Sequence, residues 1–122
     1  MSYYDKYCNV DVLKGKTLTR CEDIGSEIVF ETADGETYRM YHEQDCCESV
    51  RLEDVVGDLQ DLVGSEILIA EEVDGESPAD FEAYESYTWT FYKFATRKGY
   101  VDLRWLGESN GYYSESVSFC KD

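Results

Sequence analysis

The chain predicts a mainly β fold of the α+β kind: a single curved or barrel-like, mostly antiparallel sheet with one short helix. Three observations predict it. Runs of β-branched and aromatic residues alternate with polar ones at a period of two; turn-forming glycines separate these runs at hairpin spacing; and apolar residues fall at helical spacing in one stretch, 55–63. The 122 residues fit one domain, 1–122, and 11 Tyr, 5 Phe and 2 Trp supply large groups for a packed core.

The first part reads as a hairpin. Lys16–Glu22 is expected to form a strand after the turn at Lys14-Gly15-Lys16. In Ser26–Thr32, Ile28 and Phe30 alternate with Glu27 and Glu31. Ala33-Asp34-Gly35-Glu36 then supplies an Asp-Gly turn, a strong short hairpin signal, before Thr37–His42. Val50–Glu53 is a further short strand. Asp54 is placed to cap a helix whose apolar residues are Val55, Val56, Leu59, Leu62 and Val63, with Gly64 suited to end it. Glu66–Val73 contains Ile67, Leu68, Ile69 and Ala70, an apolar run consistent with a strand buried on both faces. The last third predicts a three-stranded meander. Tyr87, Trp89 and Phe91 alternate with Thr88, Thr90 and Tyr92; Val101, Leu103 and Trp105 alternate with Asp102 and Arg104; Tyr113, Glu115, Val117 and Phe119 follow the turn at Gly107–Gly111.

Charge restricts the partners. The chain carries 27 acidic and 11 basic residues, a formal net charge of −16. Such a field opposes direct binding to nucleic acid or an anionic membrane, and favours basic protein surfaces or cations. No P-loop, paired zinc finger or basic helix is present, and no apolar run has membrane-spanning length. The five cysteines are odd in number, and the adjacent pair Cys46–Cys47 is ill-suited to a mutual disulfide. With an N-terminus unlike a signal peptide, free thiols imply a reducing cytoplasm.

The richest segment for chemistry is 41–50, Tyr-His-Glu-Gln-Asp-Cys-Cys-Glu-Ser-Val, which holds the one histidine of the chain beside the vicinal cysteines. Together with Gly-Asp-Leu-Gln-Asp-Leu-Val-Gly at 57–64, Trp-Thr-Phe-Tyr-Lys-Phe-Ala-Thr at 89–96 and Gly-Glu-Ser-Asn-Gly-Tyr-Tyr-Ser-Glu-Ser at 107–116, it carries a resemblance. From about residue 14 to residue 119 the chain resembles an uncharacterised family of small proteins encoded mainly by bacteriophages and prophages. That resemblance implies an accessory gene product acting inside a bacterial host cell, of a kind often directed against host defence or host enzymes.

Four chemistries follow from the residues. His42, Cys46 and Cys47, with Asp45 or Glu43, are soft and imidazole donors of the type zinc accepts, but they lack Cys-x-x-Cys spacing. A Cys–His nucleophile built on His42 and Cys46, oriented by Gln44 or Asp45, is opposed by five carboxylates between residues 43 and 54, which disfavour a thiolate. A sheet-end pocket would combine His42, Gln44, Asp45, Cys46, Cys47 and Glu48 with Glu108, Ser109, Asn110, Tyr112 and Tyr113. Tyr92, Arg104 and Trp105 stand on the neighbouring strands, with Lys93 adding charge; such a site suits a small nucleotide-like ligand. Finally, Glu71, Glu72, Asp74, Glu76, Asp80, Glu82 and Glu85 form an anionic band suited to a basic protein. The expectation is a non-catalytic binding protein, with no metal and no cofactor, that neutralises a bacterial target through an acidic, aromatic-rich surface. Nucleotide-like signal sequestration and a zinc- or thiol-dependent enzyme are the alternatives. Exposed tyrosines also suit a homo-oligomer interface.

Overall fold

The computed structural model describes residues 7–25, 27–42, 48–75, 86–109 and 117–121. Eight strands run through them: β1 (Leu18–Asp23), β2 (Glu27–Thr32), β3 (Thr37–Tyr41), β4 (Ser49–Val56), β5 (Ile69–Gly75), β6 (Ser86–Thr96), β7 (Gly99–Ser109) and β8 (Ser118–Lys121). The class is mainly β and antiparallel, as the alternation predicts. The strands divide into two four-stranded sheets, in the orders β1-β2-β3-β8 and β4-β7-β6-β5, and do not close into a barrel. Among the described residues no helix is long and apolar enough to cross a membrane.

Alternation drives the split. Ile28, Phe30, Tyr38 and Met40 from the first sheet and Tyr92, Phe94, Val101, Leu103 and Trp105 from the second are buried in one core. The Phe30 ring lies 5.8 Å from Phe94 in the opposite sheet and 5.8 Å from Phe119 on β8, while Phe119 stacks on Tyr38 at 5.4 Å. Trp105 reaches across to donate its indole N–H to Met40 Sδ at 3.2 Å, which partners a buried polar group without water.

The chain between Gly64 and Leu68 laces the sheets together at one end. Gly64 and Ile67 donate backbone N–H groups to Leu18 and Lys16, Gly15 donates to Ile67, and Leu68 donates to Ala95 of β6. At that same end the β2–β3 hairpin turns through Asp34-Gly35, with Gly35 at φ 89°, a left-handed conformation that glycine adopts without steric cost. Thr32 closes the turn by accepting the Glu36 N–H at 3.0 Å, and Lys16 bonds Asp34 at 2.8 Å.

Three local expectations are corrected. The helix expected over 55–63 does not form: Val55 and Val56 finish β4, and a single 3₁₀ turn spans Leu59–Leu62. Gly57 separates the two at φ 103°, where a Cβ would meet the Tyr100 carbonyl oxygen at 2.5 Å, and the Asp58 side chain caps the turn by accepting from the Gln60 N–H. The run 66–73 is not buried on both faces. Ile67 and Ala70 point inward, but Leu68 and Ile69 are exposed, because β5 is an edge strand whose outer face meets solvent. In the third strand of the expected meander, the residues up to 116 lie outside the described ones, and Ser118–Lys121 pairs with β3 in the first sheet rather than with β7.

Asp34 supplies a pH-dependent clasp on the hairpin. Its hydrogen bond from Lys16, and then that from Thr32, hold its carboxyl at about 2 against an ordinary 3.8. A depressed acid stabilises the folded state above its unfolded pKa and loses that contribution as pH falls toward the folded value. The thermal midpoint of Asp34→Asn should therefore lie below wild type at pH 6, with the gap closing between pH 4 and pH 2.

Candidate functional site

The sheet topology brings the bases of the two sequence-selected stretches together. Ser49, which follows the 42–48 crossover, pairs with Glu108, and Val50 pairs with Gly107. Ser86 pairs with Ser109, and Tyr41 with Ser118, at this same end of the molecule. Arg51 fastens the junction through bonds to Glu108 at 3.1 Å and Glu53 at 2.8 Å, and the Glu108 hydrogen bond raises its pKa above the ordinary guanidinium value. Gln44, Asp45, Cys46, Cys47, Asn110, Tyr112 and Tyr113 lie outside the described residues. Ser109 is placed as the last residue of β7.

His42 and Glu48 face the interior. His42 Nε2 lies 2.9 Å from Glu48 Oε1, and the two side chains are 5% and 0% exposed. The pair joins the residue that follows β3 to the residue that precedes β4, and so ties the end of one sheet's strand to the start of the other's. In a low-dielectric setting such a bond is costly to leave half-made. Among the described residues, no group of three or more His, Cys, Asp or Glu side chains is placed to hold a metal ion.

The remaining selected residues separate by sheet face. Trp105 and Tyr92 point inward at 3% and 1% exposure, where they fill the core; Tyr92 also donates its hydroxyl to Glu72 at 2.9 Å. Arg104 points outward. Its guanidinium lies 5.5 Å from the Trp89 ring centre and 5.4 Å from that of Phe91, and 3.7 Å from Asp54 on β4. The register extends this cluster into a row across the sheet: Val73 pairs with Phe91, Phe91 with Arg104, and Arg104 with Asp54. A second row sets Lys93 between Glu71 and Asp102. Half-buried Trp89 and Phe91, with exposed Val73, Ile69 and Tyr100 around them, make the outer face of this sheet aromatic at its centre and charged between.

Trp89, Phe91, Val73 and Arg51 are the surface residues that the sequence argument did not select. Their period-two spacing was visible, yet it assigns two faces without saying which one meets water. Two outward cations, Arg51 and Arg104, are also already engaged. Arg104 is stacked and ion-paired, which leaves the basic spot required by an anionic nucleotide-like ligand with one paired member.

Two of the described thiols, Cys8 and Cys21, are shifted away from activation. Burial, and then the nearby Glu22 charge, push the Cys21 thiol up to about 12, and burial raises Cys8 as well. A nucleophilic thiol requires the opposite shift.

Two outcomes test these placements. Glu48→Ala removes the Glu48 partner from buried His42 and should cost about 1–3 kcal/mol in denaturant-induced unfolding. Native protein treated with iodoacetamide at pH 8 should leave Cys21 unmodified by mass spectrometry, and urea should expose it to rapid alkylation.

No curated protein and no solved structure matches the chain. A family model described as a domain of unknown function (DUF7448) matches residues 11–119, which takes in all eight strands but for the last two residues of β8. The chain belongs to this family, the DUF7448 domain of unknown function.

Proposed function

We propose that this chain is a non-catalytic binding protein that docks the outer face of its second sheet onto a basic protein surface. The observation that carries the reading is the Trp89–Phe91–Arg104 cluster, two aromatic rings and a guanidinium held together on a solvent-facing sheet surface. Tryptophan, aromatic and arginine side chains dominate the energetic centres of protein interfaces, because they desolvate large areas at a small cost in conformational freedom. The net charge of −16 supplies the complementary half of the argument, since it steers the chain toward cationic surfaces and away from DNA and anionic membranes.

The resemblance of the 41–50 and 107–116 motifs to phage and prophage proteins supports a setting for this binding. The chain acts in the cytoplasm of a bacterial host, as a phage-type accessory protein that neutralises a host or defence protein. The engaged state of Arg104 favours a protein target over a nucleotide-like ligand, because a phosphate would have to displace Asp54 and overcome the surrounding carboxylates.

The test is affinity capture from bacterial lysate with wild type and Trp89→Ala at 0.1 M and 0.5 M salt. Wild type should retain a specific basic protein; Trp89→Ala should weaken its binding by about 2–4 kcal/mol, roughly 30- to 1,000-fold. High salt should weaken it further, mostly through slower association. Retention indifferent to both the substitution and salt, or capture only of a second copy of this chain, overturns the reading.

A further inference from the structure

A second feature lies along the side of the sandwich where β5, an edge strand of one sheet, and β8, an edge strand of the other, line one cleft. Residues 7–8 run beside β8 through a Tyr7–Cys120 bridge and a Cys8 N–H bond to the Phe119 carbonyl at 3.1 Å. They leave a cleft of about 350 Å³ between themselves, β5, β6 and β8. Three aromatic side chains, Tyr7, Tyr92 and Phe119, line it together with Val117, and Glu72 contributes the one acidic group of the lining. Glu72 stands opposite Tyr92 in the β5–β6 register, on the side of the sheet that turns toward the core. Tyr92 is fixed by burial, so its hydroxyl, 2.9 Å from Glu72 Oε1, sets the position of the carboxylate.

We propose that this cleft binds an alkylammonium or guanidinium cation, its charge against Glu72 and its carbon chain against the rings of Tyr7, Tyr92 and Phe119. Aromatic walls attract cations through their ring quadrupoles, and a carboxylate fixed by a hydrogen bond needs little reorganisation to receive one. Among the described residues no lysine or arginine lies within ion-pair distance of Glu72, so the charge of the cleft is open to a ligand. Its volume stands at the lower end of small-molecule sites, with room for an aliphatic amine or a single side chain. A phosphate would face the Glu72 carboxylate directly. The net field of the chain concentrates cations near the site. The cleft and the Trp89–Phe91–Arg104 cluster occupy opposite sides of the second sheet, so this site stands independently of the docking face.

The chemistry has two sources, a free amine or a lysine side chain presented by a protein. The experiment is an amide-resolved NMR titration of the full chain with n-butylammonium, with 1-butanol as the uncharged control. Butylammonium should shift the amides of Cys8, Val117 and Phe119 saturably, and butanol at equal concentration should not. Glu72→Gln, which keeps an acceptor for Tyr92 but removes the charge, should weaken binding about tenfold or more. Tyr92→Phe should weaken it by a smaller factor, and Trp89→Ala should leave it unchanged. Spermidine binding more tightly than the peptide acetyl-Gly-Lys-Gly-amide identifies the free amine as the source, and the reverse order identifies a protein side chain. Equal shifts from butanol, or undiminished binding by both Glu72→Gln and Tyr92→Phe, overturn the proposal.

Discussion

Phe30 is where the two sheets meet, and the rest of the architecture depends on that contact. Its ring touches Phe94 of the opposite sheet and Phe119 of the returning β8, and Phe119 in turn stacks on Tyr38. Each sheet has one apolar face, and neither can hide it alone; packing the two faces together removes both from water. Once that layer forms, the chain has to pass from sheet to sheet, and the positions of those passages decide where polar groups become buried. His42 and Glu48 are the result at one passage, a hydrogen-bonded pair that satisfies two polar side chains in the same dry setting.

The same layering explains why the second sheet has two different surfaces. Inward, β7 contributes Val101, Leu103 and Trp105, and β6 contributes Thr90, Tyr92 and Phe94. Outward, the large rings of β6 are Trp89 and Phe91, partly covered by the Arg104 guanidinium and its ion pair to Asp54. An arginine laid across two rings covers part of their apolar area while its charged head keeps contact with water. The sandwich edge has a different character. There β5 and β8 do not hydrogen-bond to each other, and residues 7–8 cover only part of the gap, leaving Glu72 beside aromatic walls.

Membership of the DUF7448 family gives the fold a lineage without an activity. Burial raises the Cys8 and Cys21 thiols, His42 is bonded to the buried Glu48 carboxylate, and Arg51 and Arg104 are paired with acids. The outer face of the second sheet offers aromatic area and the chain carries net negative charge, the two features on which the proposed binding rests.

The sequence by itself determined the elements that rest on local chemistry. Alternation at Ile28–Phe30 and Val101–Trp105 marked strands, Asp34-Gly35 marked the hairpin, and the excess of acids fixed the field. It misjudged 55–63 because valine and leucine at helical spacing are equally compatible with a strand end followed by one 3₁₀ turn, and the Tyr100 carbonyl that makes Gly57 a break is distant in sequence. It placed His42, Glu48, Tyr92 and Trp105 among candidate contacts, whereas the fold turns all four inward. Only the tertiary structure could decide this, because a period of two defines two faces of a strand but burial is assigned by whichever sheet packs against it. For the same reason Trp89, Phe91 and Arg104 became a surface cluster, and Glu72 met three aromatic rings contributed by segments far apart in the chain.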